Sequence, residues 1–107
     1  MPVVTVSVTA RATAGTPPIY VDLDITAKDK YTGEPVLTRS KTLTITDLTI
    51  PETYMVQFTG EPGRTYTVWV TATFRNEWGE YPTSASRDVT ISGEPPKGEI
   101  SLEVTVT

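Results

Sequence analysis

Residues 65–75 read TYTVWVTATFR, and their spacing decides what kind of molecule this is. Tyr66, Val68, Val70, Ala72 and Phe74 fall on one side, and Thr67, Trp69, Thr71 and Thr73 on the other. A period of two marks a strand with one face in a core and the other toward water. Helical periodicity is nearly absent, here and along the rest of the chain.

Outward from this strand the same grammar repeats. Upstream, Glu61-Pro62-Gly63-Arg64 places Pro and Gly where a type II turn wants them, after a short run with Tyr54, Val56 and Phe58 in phase. Downstream, Asn76-Glu77-Trp78-Gly79 turns the chain into a run marked by Ala85, Val89 and Ile91, with Arg87 interrupting its inner face. Near the start, Val4, Val6, Val8 and Ala10 share a face. Ile19, Val21, Leu23, Ile25 and Ala27 then alternate with Tyr20, Asp22, Asp24 and Thr26. Residues 28–35, KDKYTGEP, form a polar turn. From Val36 to Ile50 the pattern is less regular: Leu43 and Ile45 share a face while Val36 and Leu37 point oppositely. That predicts a bend or a switch between sheets. The sum is about seven strands before residue 93, and an all-β antiparallel sandwich of seven to eight strands in total.

Composition agrees. Threonine occurs 21 times and valine 12 times, both β-branched and suited to a pleated surface. The chain of 107 residues is long enough for one domain with its own core, without the disulfides its missing cysteines preclude. One asparagine, one glutamine, no cysteine and nine prolines match part of a thermostable pattern, though its Lys/Glu enrichment is missing. A net charge of −4, with nine scattered basic residues, speaks against nucleic acid. No apolar run is long enough for a membrane-spanning helix, so no membrane insertion is expected. The start, MPVVTVSVTA, has no signal-peptide pattern. An extracellular, cell-surface or virion setting is favoured over the cytoplasm.

Residues 62–86, PGRTYTVWVTATFRNEWGEYPTSAS, resemble the turn and last two strands of a fibronectin type III domain, an immunoglobulin-like fold. Pro62, Gly63 and Tyr66 match the turn, Val68, Val70 and Ala72 the strand, and Asn76 and Gly79 the hairpin. The resemblance implies that Tyr66 is a structural corner residue, its hydroxyl bonded to backbone a few residues upstream.

Chemistry has few candidates. Without histidine or cysteine, the nucleophilic triads and usual zinc sites are out of reach, and no glycine-rich phosphate loop occurs. Asp22 and Asp24 share a strand face, which reads as a solvated surface rather than a catalytic pair. A calcium site adding Asp47 or Glu34 lacks the acidic loop motif. The expectation is a non-enzyme with no catalytic residue, no metal and no cofactor. Trp69 is out of phase with its core face, and Trp78 and Tyr81 lie just beyond, so these three are the candidate binding residues. The final strand or a loop covering Trp69 is the plain alternative.

The last run, residues 99–107, alternates Ile100, Leu102, Val104 and Val106 with Ser101, Glu103 and Thr105. A proline-rich break at 94–98 precedes it within one domain, 1–107. Its apolar face needs cover and its amides need partners. It either returns, hairpin-like, to its own sandwich beside the N-terminal strand, or adds to a neighbour. The first is favoured. The function expected is a structural or protein-binding module, with a protein partner or self-association through strand edges. The alternatives are a virion or appendage subunit assembling through terminal strands, and a carbohydrate-binding module using Trp69, Trp78 and Tyr81.

Overall fold

The computed structural model describes residues 2–91 and 98–106. Seven strands follow one another: β1 (Val3–Ala12), β2 (Ile19–Asp29), β3 (Pro35–Ile45), β4 (Glu52–Thr59), β5 (Thr65–Asn76), β6 (Gly79–Thr90) and β7 (Gly98–Val106). They form two sheets, ordered β4-β1-β7 and β3-β2-β5-β6. The inward positions of both sheets meet in one apolar core, with Val6, Val8, Val21, Ile25, Val68 and Val70 fully buried. Each such side chain stabilises the fold by about 1.5–3 kcal/mol relative to exposure. The molecule is elongated, 47 Å along its longest axis.

The alternation in the central strands reads directly into burial. In β2 and β5 every second residue, from Ile19 to Ala27 and from Tyr66 to Phe74, lies in the core. The turn at Glu61–Arg64 closes with the Arg64 N–H donating to the Glu61 carbonyl at 3.2 Å. Gly63 sits at φ +83°, as a type II turn requires of its third residue.

Several expectations need correction. The irregularity expected between Val36 and Ile50 resolves into a register shift at the start of β3, where Leu37 pairs with Ala27 and Pro35 with Lys28 so that Val36 is passed over, and a single register along β2 from Leu37 to Ile45. The residues that blurred its pattern, Arg39 and Lys41, stand opposite Ile25 and Leu23 on the inward side of an edge strand, where water reaches them. The chain passes to the other sheet only afterwards, so six strands rather than seven precede residue 92.

The sandwich is also not wholly antiparallel, and the last strand is no hairpin return. β7 joins β1 in parallel, Val6 facing Ile100 and Val8 facing Leu102. Chain reach explains the direction. From Ile91 to Gly98 is seven residue steps, about 25 Å at most. The twelve residues of β6 run roughly 40 Å. A strand joined to the end of β6 therefore starts at that same end, where β1 also starts: the Gly60 N–H donates to the Pro2 carbonyl there. The proline-rich break lies, up to residue 97, outside the described residues. Finally, β7 belongs to the sheet opposite Trp69, so the last strand does not cover that side chain.

Candidate functional site

The two ends of the sandwich hold a buried carboxylate and an open cleft. At one end β2 finishes and β5 begins. Asp29 continues the inward register of β2 by one step past Ala27, opposite Tyr66, and is 4% exposed. A carboxylate there needs partners, and it has three. Oδ1 accepts the Tyr31 and Thr32 N–H groups at 2.9 and 3.0 Å, and Oδ2 accepts from the Arg64 guanidinium at 2.8 Å. The Arg64 hydrogen bond, followed by the two backbone N–H groups, holds the Asp29 carboxyl down at about 2. Arg64 also reaches Glu61 at 2.7 Å, and both acids push its own pKa upward.

Tyr66 is 2% exposed, and its hydroxyl accepts the Glu61 N–H at 2.8 Å, five residues upstream. Its ring meets Phe58 edge-on at 5.5 Å between centroids. Gly60 lets this corner close: a Cβ there would stand 3.1 Å from Tyr66 Cε2 and 3.0 Å from Ile91 Cγ1. Beside it, Lys30 Nζ meets Asp88 at 2.7 Å, which lowers the Asp88 pKa and raises that of Lys30.

The other end is open. A cleft of roughly 360 Å³ lies between the β1–β2 loop and the β5–β6 turn. Ala12, Ile19 and Phe74, the last core residues of their strands, form its apolar floor. Trp78 and Tyr81 stand on its rim, 77% and 52% exposed. Asn76 fixes both walls: its Oδ1 accepts the Trp78 N–H at 2.9 Å, and its Nδ2 donates to the Thr16 carbonyl at 3.3 Å. Arg75, also on the wall, is held from behind. Its Nε donates to Asp22 Oδ2 at 2.7 Å and its guanidinium lies 4.8 Å over the Tyr20 ring.

The three aromatic candidates therefore separate. Trp78 and Tyr81 come together at the cleft. Tyr81 pairs with Phe74, on the inward side of its sheet, whereas Trp69 pairs with Thr26 and Ser86 on the outward side and is 47% exposed. Seven residue steps of strand, about 24 Å, separate Trp69 from Asn76. A single platform of all three does not exist.

The carboxylates considered for calcium are also dispersed. Asp22 accepts from Arg75 and from the Thr42 hydroxyl, which together lower its pKa, and Asp24 accepts from the Ser40 hydroxyl. Asp47 folds onto its own loop, bonded to the Thr49 N–H and hydroxyl, which lower its pKa, while Glu34 lies near the opposite end of β2.

Asp29, Arg64, Asn76 and Arg75 were not among the sequence-stated site residues. Asp29 was visible in principle, as an acid in step with five apolar inward positions. Arg64 and Asn76 stood in the sequence only as turn residues, because their partners Asp29 and Thr16 lie 35 and 60 residues away, and Arg75 had no role there because Asp22 lies 53 residues away. Compared with known proteins, the chain matches no family model, no curated protein and no solved structure.

Proposed function

We propose that the chain is a non-enzymatic protein-binding module that holds an apolar side chain of its partner in the Trp78–Tyr81 cleft. The observation carrying this reading is the cleft itself: an apolar floor, two exposed aromatics at its mouth, and walls tied together by Asn76. Aromatic anchors in preformed pockets dominate protein recognition because they bury much area with little ordering cost.

The fold reading that accompanies it is an immunoglobulin-like sandwich similar to fibronectin type III. Its support is positional. The order β3-β2-β5-β6 corresponds to strands C′, C, F and G of that fold, and β1 and β4 to B and E. The Tyr66 hydroxyl then sits where a tyrosine corner would be, at the start of F. The place of strand A, beside B, is taken by β7 from the far end of the chain.

Peptides selected from a random display library on the folded protein, then counter-selected on Trp78→Ala, test the function. The expected peptides carry a bulky apolar anchor, lose at least about tenfold affinity on Trp78→Ala and are indifferent to Trp69→Ala. Selected peptides that bind Trp78→Ala unchanged would remove the cleft from the binding surface. A glycan, rather than any peptide, quenching Trp78 fluorescence would turn the reading to carbohydrate binding.

A further inference from the structure

The four sheet edges are finished differently. β3 carries Arg39 and Lys41 on its inward side, and β6 carries Arg87 there and Pro82 within the strand. Inward charges and proline are devices that stop a further strand from adding. On the same side as β3, the edge of β4 lies under those two cations: Arg39 donates to the Tyr54 hydroxyl at 3.1 Å, and Lys41 Nζ lies 5.9 Å from the Tyr54 ring centroid. β7 has none of this. From Glu99 to Thr105 it carries no proline and no cation, and its inward residues Ile100, Leu102 and Val104 are buried apolar ones.

Among the described residues β7 pairs with β1 alone, so its second edge is open. Beside it lies a groove of roughly 550 Å³, lined by Ser101, Leu102 and Glu103 of β7, by β6 from Ala85 to Arg87, and by Ser7 and Thr9 of β1. An open edge beside a groove is the kind of place where a further strand adds.

We infer that this strand is β7 of a second copy of the chain, paired antiparallel across a twofold axis at Leu102. The sequence of β7 supports this register. An axis at Ser101 would set Glu99 opposite Glu103 twice, and an axis at Glu103 would set that residue opposite itself; like charges directly opposed are unfavourable. An axis at Leu102 sets Ser101 opposite Glu103, Glu99 opposite Thr105 and Ile100 opposite Val104. It is also the only one of the three that overlaps the whole strand, 98–106. Each serine hydroxyl then faces a carboxylate it can donate to, and Arg87 lines the same groove as Glu103. The product is a six-stranded sheet, β4-β1-β7-β7-β1-β4, and the contact is isologous, closing at two copies. No residue of β7 lines the Trp78–Tyr81 cleft, so the dimer stands or falls separately from the binding reading.

Position 101 is exposed on the outer face, so it can be recharged without entering the core. Sedimentation velocity of the full chain, up to about 1 mM, reads the result. The wild type dimerises with concentration. Ser101→Lys, facing Glu103 twice per dimer, tightens association and Ser101→Glu weakens it, each by about twofold to thirtyfold. Met55→Glu, on the edge of β4, changes nothing. A wild type that stays monomeric at the highest concentration overturns the proposal. So does an equal response to both charges at 101, or a dimer lost on Met55→Glu.

Discussion

At one end of the molecule Tyr66 is 2% exposed with its hydroxyl bonded to Glu61, while at the other Trp78 is 77% exposed above an apolar floor. Both are large amphipathic aromatics beside a turn, and both turns are fixed by side-chain hydrogen bonds. What differs is closure. At the corner end Gly60 brings backbone down onto the tyrosine ring, and Asp29 and Arg64 seal the gap between the β2–β3 turn and the β4–β5 turn. At the cleft end Asn76 spans the equivalent gap, and its single bond to Thr16 ties the walls without filling the space between them. A sandwich needs its ends capped to keep water from the core. One cap is packed into the core, and the other leaves room for something to enter.

The sharpest way to break this contrast is at Tyr66. Tyr66→Ala removes a buried ring and should cost about 3–5 kcal/mol in urea unfolding, as large aromatic truncations in cores do. Tyr66→Phe keeps the ring and deletes only the acceptor for the Glu61 N–H, and should cost about 1–2 kcal/mol. A phenylalanine variant as stable as wild type would mean that the hydroxyl bond is incidental. The corner would then be packing alone, no different in kind from the floor of the cleft.

How far the sequence carried this picture follows from where each residue sits. β2 and β5 are central strands, so all their inward positions had to be apolar and the alternation was plain. β3 is an edge strand. Leu37 and Leu43 are in phase but six residues apart, the cations between them, tolerated at an edge, hid the alternation, and the opposed Val36 and Leu37 marked the register shift at the strand's start. The parallel course of β7 came from the reach of the chain after β6, a constraint invisible to any pattern of apolar residues. Trp78 and Tyr81 stood out as aromatics beside a turn, but their separation from Trp69 is a matter of register: the pairs Phe74–Tyr81 and Trp69–Ser86 fall on opposite faces. Asp29 needed only that the alternation of β2 be followed one step further. Arg64, its partner, is 35 residues away and local reading could not supply it.

The ionic part of the corner is sharpened by acid. Asp29 titrates near 2 in the folded protein, against an ordinary 3.8, so its charged form binds the fold better than its neutral form. The stability it contributes is complete above the unfolded value, and is lost as pH falls through 4 toward 2. Asp22, Asp47 and Asp88 are lowered as well and add to the same acid limb. Asp29→Asn therefore destabilises most at neutral pH, and its deficit relative to wild type narrows on the way to pH 2. Thermal melts at pH 7, 4 and 2 check this. A deficit that stays constant with pH would show that Asp29 acts through turn geometry and not through its charge. The cleft end should behave differently. Its walls rest on a neutral amide that does not titrate, so the deficit of Asn76→Ala stays constant between pH 7 and pH 2.

The smallest expected effect is the most telling about the open end. Trp78 contributes little buried area to the folded state, so Trp78→Ala should change stability by no more than about 0.5 kcal/mol, within the range of ordinary surface substitutions. Tyr81→Ala should do much the same, since Tyr81 projects past Phe74 rather than into the core. Two large aromatics that can be removed without loss of stability are not held there by folding. A substantial loss, comparable to that at Tyr66, would mean that the rim packs over Ile19 and Phe74 in solution and closes the cleft. The two ends would then be alike, and the surface proposed to receive a partner would instead be part of the core.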